Sequence, residues 1–165
     1  MKRRLLLGTA AFTLLSLSLA MVGLSTPSRS AAKGPLVYSV RIGKNVYVRG
    51  EDIVVHATLK NQGKVPVSVY PPSNYTDRYW ADGTRDLLAL VNNTASRPEP
   101  SPREVVGLAP GASLHFRATL RSQQIERVLG VGVHRLAGEY DSTQIRFAGV
   151  WKGSIKTKPV FFTIM

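Results

Sequence analysis

"VYVRGEDIVVHATLKNQGKVPVSVY", Val46 to Tyr70, is the stretch that decides the fold. From Ile53 onward the apolar residues fall on every second position. Ile53, Val55, Ala57 and Leu59 share one face, and Val54, His56, Thr58 and Lys60 share the other. A period of two belongs to an extended strand with one side buried and one side in water. "NQGK", at 61–64, carries the Asn and Gly of a tight turn, and Gly63 is its structural residue. "VPVSVY" then resumes the alternation, with Val65, Val67 and Val69 expected inward. The stretch is therefore expected to form a hairpin. Pro66 has no N–H to give to a ladder, so it belongs at a sheet edge or an interruption.

The same chemistry recurs on both sides. "LVYSVRI" (36–42) reads as a first strand, and "LLALV" (87–91) as a short buried one. "VVGLAPGASLHFRATL" contains an "APGA" turn and sets Leu114, Phe116, Ala118 and Leu120 inward. "SQQIERVLGVG" reads as a helical turn or a loop, and "VHRLAGEYDSTQIRF" as the next strand. In the closing "SIKTKPVFFTIM", Val160, Phe162 and Ile164 share a face and Phe161 lies on the other. A strand apolar on both faces is expected at a sheet edge, where it can accept a partner strand. The segment 92–104 is rich in proline and has no apolar period, so it is expected to be a loop. About seven short strands separated by turn signals predict an all-β, immunoglobulin-like antiparallel β-sandwich over residues 33–165.

The N-terminus has a different design. Lys2, Arg3 and Arg4 precede an apolar run from Leu5 to Leu24, and "STPSRSAAKG" turns polar. That is the layout of a secretory signal peptide, expected as a helix over residues 1–32. Cleavage fits after Ala20 or after Ala32, and the polar segment before Ala32 favours the later site. An uncleaved anchor over residues 5–24 is the alternative, since a run of about 20 residues can span a bilayer. Either way the domain is expected to be exported, to the periplasm or the extracellular space. Membrane contact is expected only through this segment, if it stays uncut. The chain has no cysteine, which excludes disulfides, a thiol nucleophile and a cysteine metal site. Losing Lys2, Arg3, Arg4 and Arg29 with the signal takes the formal charge from +12 to +8. Such a surplus favours anionic partners. The basic residues stand singly, as at Lys60, Lys64, Arg117, Arg121, Lys156 and Lys158, and export argues against nucleic acid.

Two further motifs carry a resemblance. "LAGEY", Leu136 to Tyr140, resembles the tyrosine corner of immunoglobulin-like sandwiches, with Ser142 where such domains often carry cysteine. The resemblance implies that Gly138 and Tyr140 are structural and that the Tyr140 hydroxyl bonds to nearby backbone. "KNQGKVPVSV", "LAPGASLHF" and "LAGEY" together are similar to bacterial immunoglobulin-like modules, and in particular to the intracellular proteinase inhibitor (BsuPI) type. The resemblance spans residues 50–148. It implies a non-enzymatic sandwich, and for the inhibitor type a protease partner. This chain departs from that type in its export signal and its proline-rich insert.

No G-x-S-x-G elbow and no H-E-x-x-H motif occurs, and no catalytic set is expected. Glu139 and Asp141 flank Tyr140 and are expected on a solvated strand face near basic neighbours. His56 and His115 fall on outward positions of strands that pair in such a sheet. They are the metal candidate, with only His134, near a loop, as a third imidazole and no adjacent carboxylate. Asp77, Asp82 and Asp86 around Gly83 lack the order of a calcium loop and are expected to cap turns. No cofactor is expected. The aromatic segment is the main binding candidate: Tyr70, Asn74, Tyr75, Arg78, Tyr79 and Trp80 combine the residue types that dominate interface hot spots. The expected function is a non-enzymatic binding module of the cell envelope, recognising a protein or an anionic polymer through its end loops. A proteinase-inhibitor-like domain and a small metal-binding periplasmic domain are the alternatives.

Overall fold

The computed structural model describes residues 28–29, 34–73, 75–82, 99–125 and 128–165. The apolar part of the expected signal, Asn74, the run 87–91 and residues 92–98 of the expected proline-rich loop lie outside the described residues. The strands are β1 (Ser28–Arg29), β2 (Leu36–Ile42), β3 (Val46–Tyr47), β4 (Ile53–Asn61), β5 (Val67–Val69) and β6 (Asp77–Ala81). They continue with β7 (Val106–Leu108), β8 (Ser113–Leu120), β9 (Gly132–Asp141), β10 (Ser154–Lys156) and β11 (Val160–Ile164). One helical turn, Ser122–Ile125, follows β8.

One sheet has the order β1-β2-β4-β8, antiparallel throughout. In the other, β9 is central. β6 lies along one side of it, and β10 and β11 follow each other along the opposite side. Thr157 bridges the gap between them: its N–H donates to the Gly138 carbonyl and its Oγ1 accepts from the Gly138 N–H. β3 runs parallel to β11. The N-terminal segment thus serves both sheets in turn. β2-β4-β8 correspond to strands A, B and E of an immunoglobulin-like sandwich, and β6-β9-β11 to C, F and G. The all-β sandwich expected from period two is what the chain forms.

The core lies between these sheets. Tyr38, Val40, Ile53, Val55 and Leu59 of one meet Tyr79, Leu136, Tyr140 and Phe162 of the other. Each fully buried aliphatic side chain contributes about 1.5–3 kcal/mol. Gly138 lets the sheets approach: a Cβ there would stand 2.4 Å from Val40 Cγ2. Asp77 is buried among these tyrosines and accepts a 3.1 Å hydrogen bond from the Tyr79 hydroxyl. Burial pushes its carboxyl up to about 7, against the lowering effect of the Tyr38, Tyr79 and Thr76 donors around it.

Three expectations are corrected. First, β4 and β5 do not form a hairpin; β4 pairs with β2 and β8, and β5 pairs with β7 in a separate ribbon. The cause is Asn61, which is buried at the end of β4. Its Nδ2 donates to the Val65 and Leu108 carbonyls, and its Oδ1 accepts from Gly63 N–H. This clamp turns the chain toward β7 and leaves Val65 exposed rather than inward. Gly63 packs tightly there: a Cβ would meet Pro35 Cβ at 2.7 Å. Second, Tyr140 is not a local corner. It lies near the end of β9, and its hydroxyl donates 2.6 Å to the carbonyl of Tyr70, far away in sequence. It is a tie between β9 and the segment after β5. Third, β11 is an open edge only in part: β9 flanks it on one side and β3 pairs with Thr163 and Ile164 on the other, while Phe161 remains exposed.

The expected loop at 92–104 is ordered at its end. Pro102–Glu104 form a 3-10 turn with a capping box from Ser101 and Glu104, and Glu104 accepts the Tyr70 hydroxyl. β1 lies before Ala32, so a chain cut there would lose this strand.

Candidate functional site

The aromatic segment is divided between core and surface. Tyr79 is fully buried, its hydroxyl 3.4 Å from that of Tyr38. Tyr70 is buried in a small cluster with Ile145 and Val150. Burial and the Glu104 carboxylate push its hydroxyl up to about 12. Tyr75 packs against the same cluster, and Asn74 lies outside the described residues. Arg78 and Trp80 alternate outward on β6, so they occupy a sheet face rather than an end loop. The Trp80 ring lies under Lys156 Nζ, 5.2 Å from the centroid. With Asp82, Arg135, Ala137 and Pro159 it lines a depression of about 260 Å³.

Charges on this β6-β9-β11 face are matched. Arg78 Nη2 stands 3.7 Å from Asp141 Oδ2, and Lys156 Nζ 3.8 Å from Glu139 Oε1. Glu139 also accepts from Ser154 Oγ. Asp82 holds a positive φ at the end of β6, accepts from the Arg135 N–H and meets His134 Nδ1 at 2.5 Å. Burial works to raise the Asp82 carboxyl, but the hydrogen bonds from His134 and Arg135 outweigh it and hold it below its usual value.

The opposite face is built differently. In the β2-β4-β8 sheet, Arg41 pairs in register with His56, and His56 with Arg117. One row down, Ser39, Thr58 and His115 are aligned, and Thr58 Oγ1 meets His115 Nδ1 at 3.1 Å. Lys60 and Ser113 share the next row. Neighbouring strands lie about 4.8 Å apart, so each row presents a side chain at that interval. Arg41, Lys60, His115 and Arg117 are exposed, while His56 and Thr58 are half-buried. Arg41, His56, Thr58, His115 and Arg117 line a shallow depression of about 210 Å³ with Ala57 and Phe116. The outward residues of these three strands include no carboxylate. Partial burial, then the positive charges of Arg41 and Arg117, hold the His56 imidazole below its ordinary value.

His56 and His115 therefore do share a face, as expected, but diagonally, with Arg117 rather than His115 opposite His56. Among the described residues no group of three His, Cys, Asp or Glu is placed to hold a metal. Arg41 and Arg117 do not read as a site in the sequence because each stands alone there. Period two puts both outward, but only the strand register brings them to one row.

Comparison with protein-family models returns no match. Comparison with curated proteins returns none either. Among solved structures, the CARDB domain of the PF1109 protein from Pyrococcus furiosus, described in complex with di-metal ions, is similar. Its identity is 12%, its TM-score 0.44, and the match covers 94% of this chain and 100% of that one. A likeness of this size assigns neither a site nor an activity.

Proposed function

We propose that this protein is an exported, non-enzymatic binding module that holds an anionic polymer of the cell envelope on its β2-β4-β8 face. The observation that supports this reading is the contrast between the two faces. Cations that share one row of a sheet without a counter-charge raise the local positive potential, which favours an anionic ligand. The β6-β9-β11 face sets Asp141 against Arg78 and Glu139 against Lys156. The Arg41–His56–Arg117 row has no carboxylate among the outward residues of its own strands. A bound polyanion meets that uncompensated charge, and the Ser39, Thr58 and Thr119 hydroxyls of the neighbouring rows add donors for oxyanions. The basic n-region and the apolar run after it support export.

The test is the affinity of the soluble domain, residues 28–165, for dextran sulfate and for long-chain polyphosphate over a range of salt. Charge-driven binding weakens with salt in proportion to the contacts made. Arg41→Ser with Arg117→Ser is expected to lower the affinity for both probes and to flatten the salt dependence. Equal binding by the double variant would end the reading.

A second reading has a protein dock on the opposite face. Phe161 and Val133 favour it, since both are large, apolar and exposed, with Phe161 in register with Arg135. The inhibitor-type module is the case in which that protein is a protease. A protease panel tests this case, and no slowing of any member would remove it.

A further inference from the structure

We infer that polyanion binding on the β2-β4-β8 face takes up a proton at His56, which makes the face a pH-graded anion holder. The inference rests on the anionic-polymer reading above and names its regulation. It starts from position. His56 is the middle member of a three-strand row, with a guanidinium in register on either side. It is the row's one titratable group whose ordinary value lies near neutrality.

Among the described residues, the groups around it on β2, β4 and β8 are basic or neutral. β2 contributes Arg41 and Ser39, and β8 contributes Arg117 and His115. Along β4 itself lie Val54, Thr58 and Lys60, and β1 pairs with β2 at Ser39 and Val40. His115 is engaged at Nδ1 with Thr58 Oγ1 and is exposed, one row away. In the free protein, partial burial and the two guanidinium groups therefore oppose a proton on His56, and its value is lowered. A polyanion laid along the row reverses the second effect. It neutralises Arg41 and Arg117 and adds negative charge beside the imidazole, so the protonated form becomes favoured. Binding and protonation are then linked, and each strengthens the other by the same factor.

The consequence is an affinity that rises as pH falls. Displacing one histidine by one pKa unit changes affinity about tenfold between about pH 8 and about pH 5.5. The row, with a guanidinium group on each side of His56, favours ligands that carry several ionised oxyanions in series over a single charge.

The experiment is isothermal titration of the soluble domain with dextran sulfate, whose sulfate esters do not titrate in this range. Runs in two buffers of different ionisation enthalpy count the protons taken up. The expected result is net proton uptake near neutrality, a rise in affinity of about tenfold on acidification, and loss of most of both in His56→Gln. NMR titration of the His56 ring in the wild-type protein gives a second reading that needs no variant. Its midpoint is expected to move to higher pH when dextran sulfate is added. Binding that requires Arg41 and Arg117 but takes up no proton, with an unmoved His56 midpoint, overturns this inference and leaves the anionic-polymer reading standing. Binding that ignores Arg41 and Arg117 overturns both.

Discussion

Raising the pH from about 4 to about 8 destabilises this domain through one carboxyl group, Asp77. The group is 2% exposed, accepts one hydrogen bond from Tyr79, and leaves its Oδ1 without a partner among the described residues. Its value rises from 3.8 to about 7 on folding. The folded state therefore holds the proton more tightly than the unfolded chain does. Stability from this group is fully present below the unfolded value and is lost as pH rises through the folded one. A displacement of that size corresponds to about 4 kcal/mol, a large part of the 5–15 kcal/mol of a domain of this class. Asp77→Asn isolates the effect: it keeps the shape and the acceptor for Tyr79 but carries no charge. Urea unfolding of both proteins from about pH 4 to about pH 8 gives the two profiles. Other titrating groups, His56 included, cancel in the difference. That difference is expected to move by about 4 kcal/mol in favour of the variant across the range, with most of the change between about pH 4 and about pH 7. A difference that stays flat, or one that moves toward the wild type, refutes the reasoning.

Three further outcomes follow from the packing. Asn61→Ala removes the clamp on Val65, Gly63 and Leu108, and is expected to cost about 2–3 kcal/mol in urea unfolding and to speed proteolysis within 62–66. Gly138→Ala drives a Cβ into Val40 Cγ2 and is expected to cost about 1–3 kcal/mol, much of it recovered when combined with Val40→Ala; no recovery would place the strain elsewhere. Tyr140→Phe deletes the bond to the Tyr70 carbonyl and is expected to cost about 1 kcal/mol, with the near-ultraviolet signal of Trp151, stacked on that ring at 5.9 Å, changed as well.

Much of the sandwich was legible because burial on one side of a strand writes itself into alternate residues. β2, β4, β8 and β11 lie where the sequence set them, while β9 ends at Asp141, short of the Phe147 expected for it. What period two cannot encode is which strand pairs with which. "NQGK" has hairpin composition, yet the Asn61 side chain spends its hydrogen bonds on turning the chain away from β4. "LAGEY" has the composition of a corner, yet its hydroxyl reaches Tyr70 because the fold brings that carbonyl within range. Asp77 looks like a turn residue by type, and its burial depends on the tyrosines that enclose it from β2, β6 and β9. The basic row failed for the same reason as the hairpin. Arg41, His56 and Arg117 are ordinary outward residues until register aligns them. The aromatic segment misled in the opposite sense: Tyr70 and Tyr79 have the chemistry of a binding surface but are committed to packing.

The most direct measurement is backbone-amide NMR mapping of the soluble domain as dextran sulfate is added. The account predicts that the perturbed amides fall on β2, β4 and β8, centred on Arg41, His56 and Arg117, with Trp80, Arg135 and Phe161 undisturbed. Perturbations confined to the β6-β9-β11 face, or none at low salt, would contradict it.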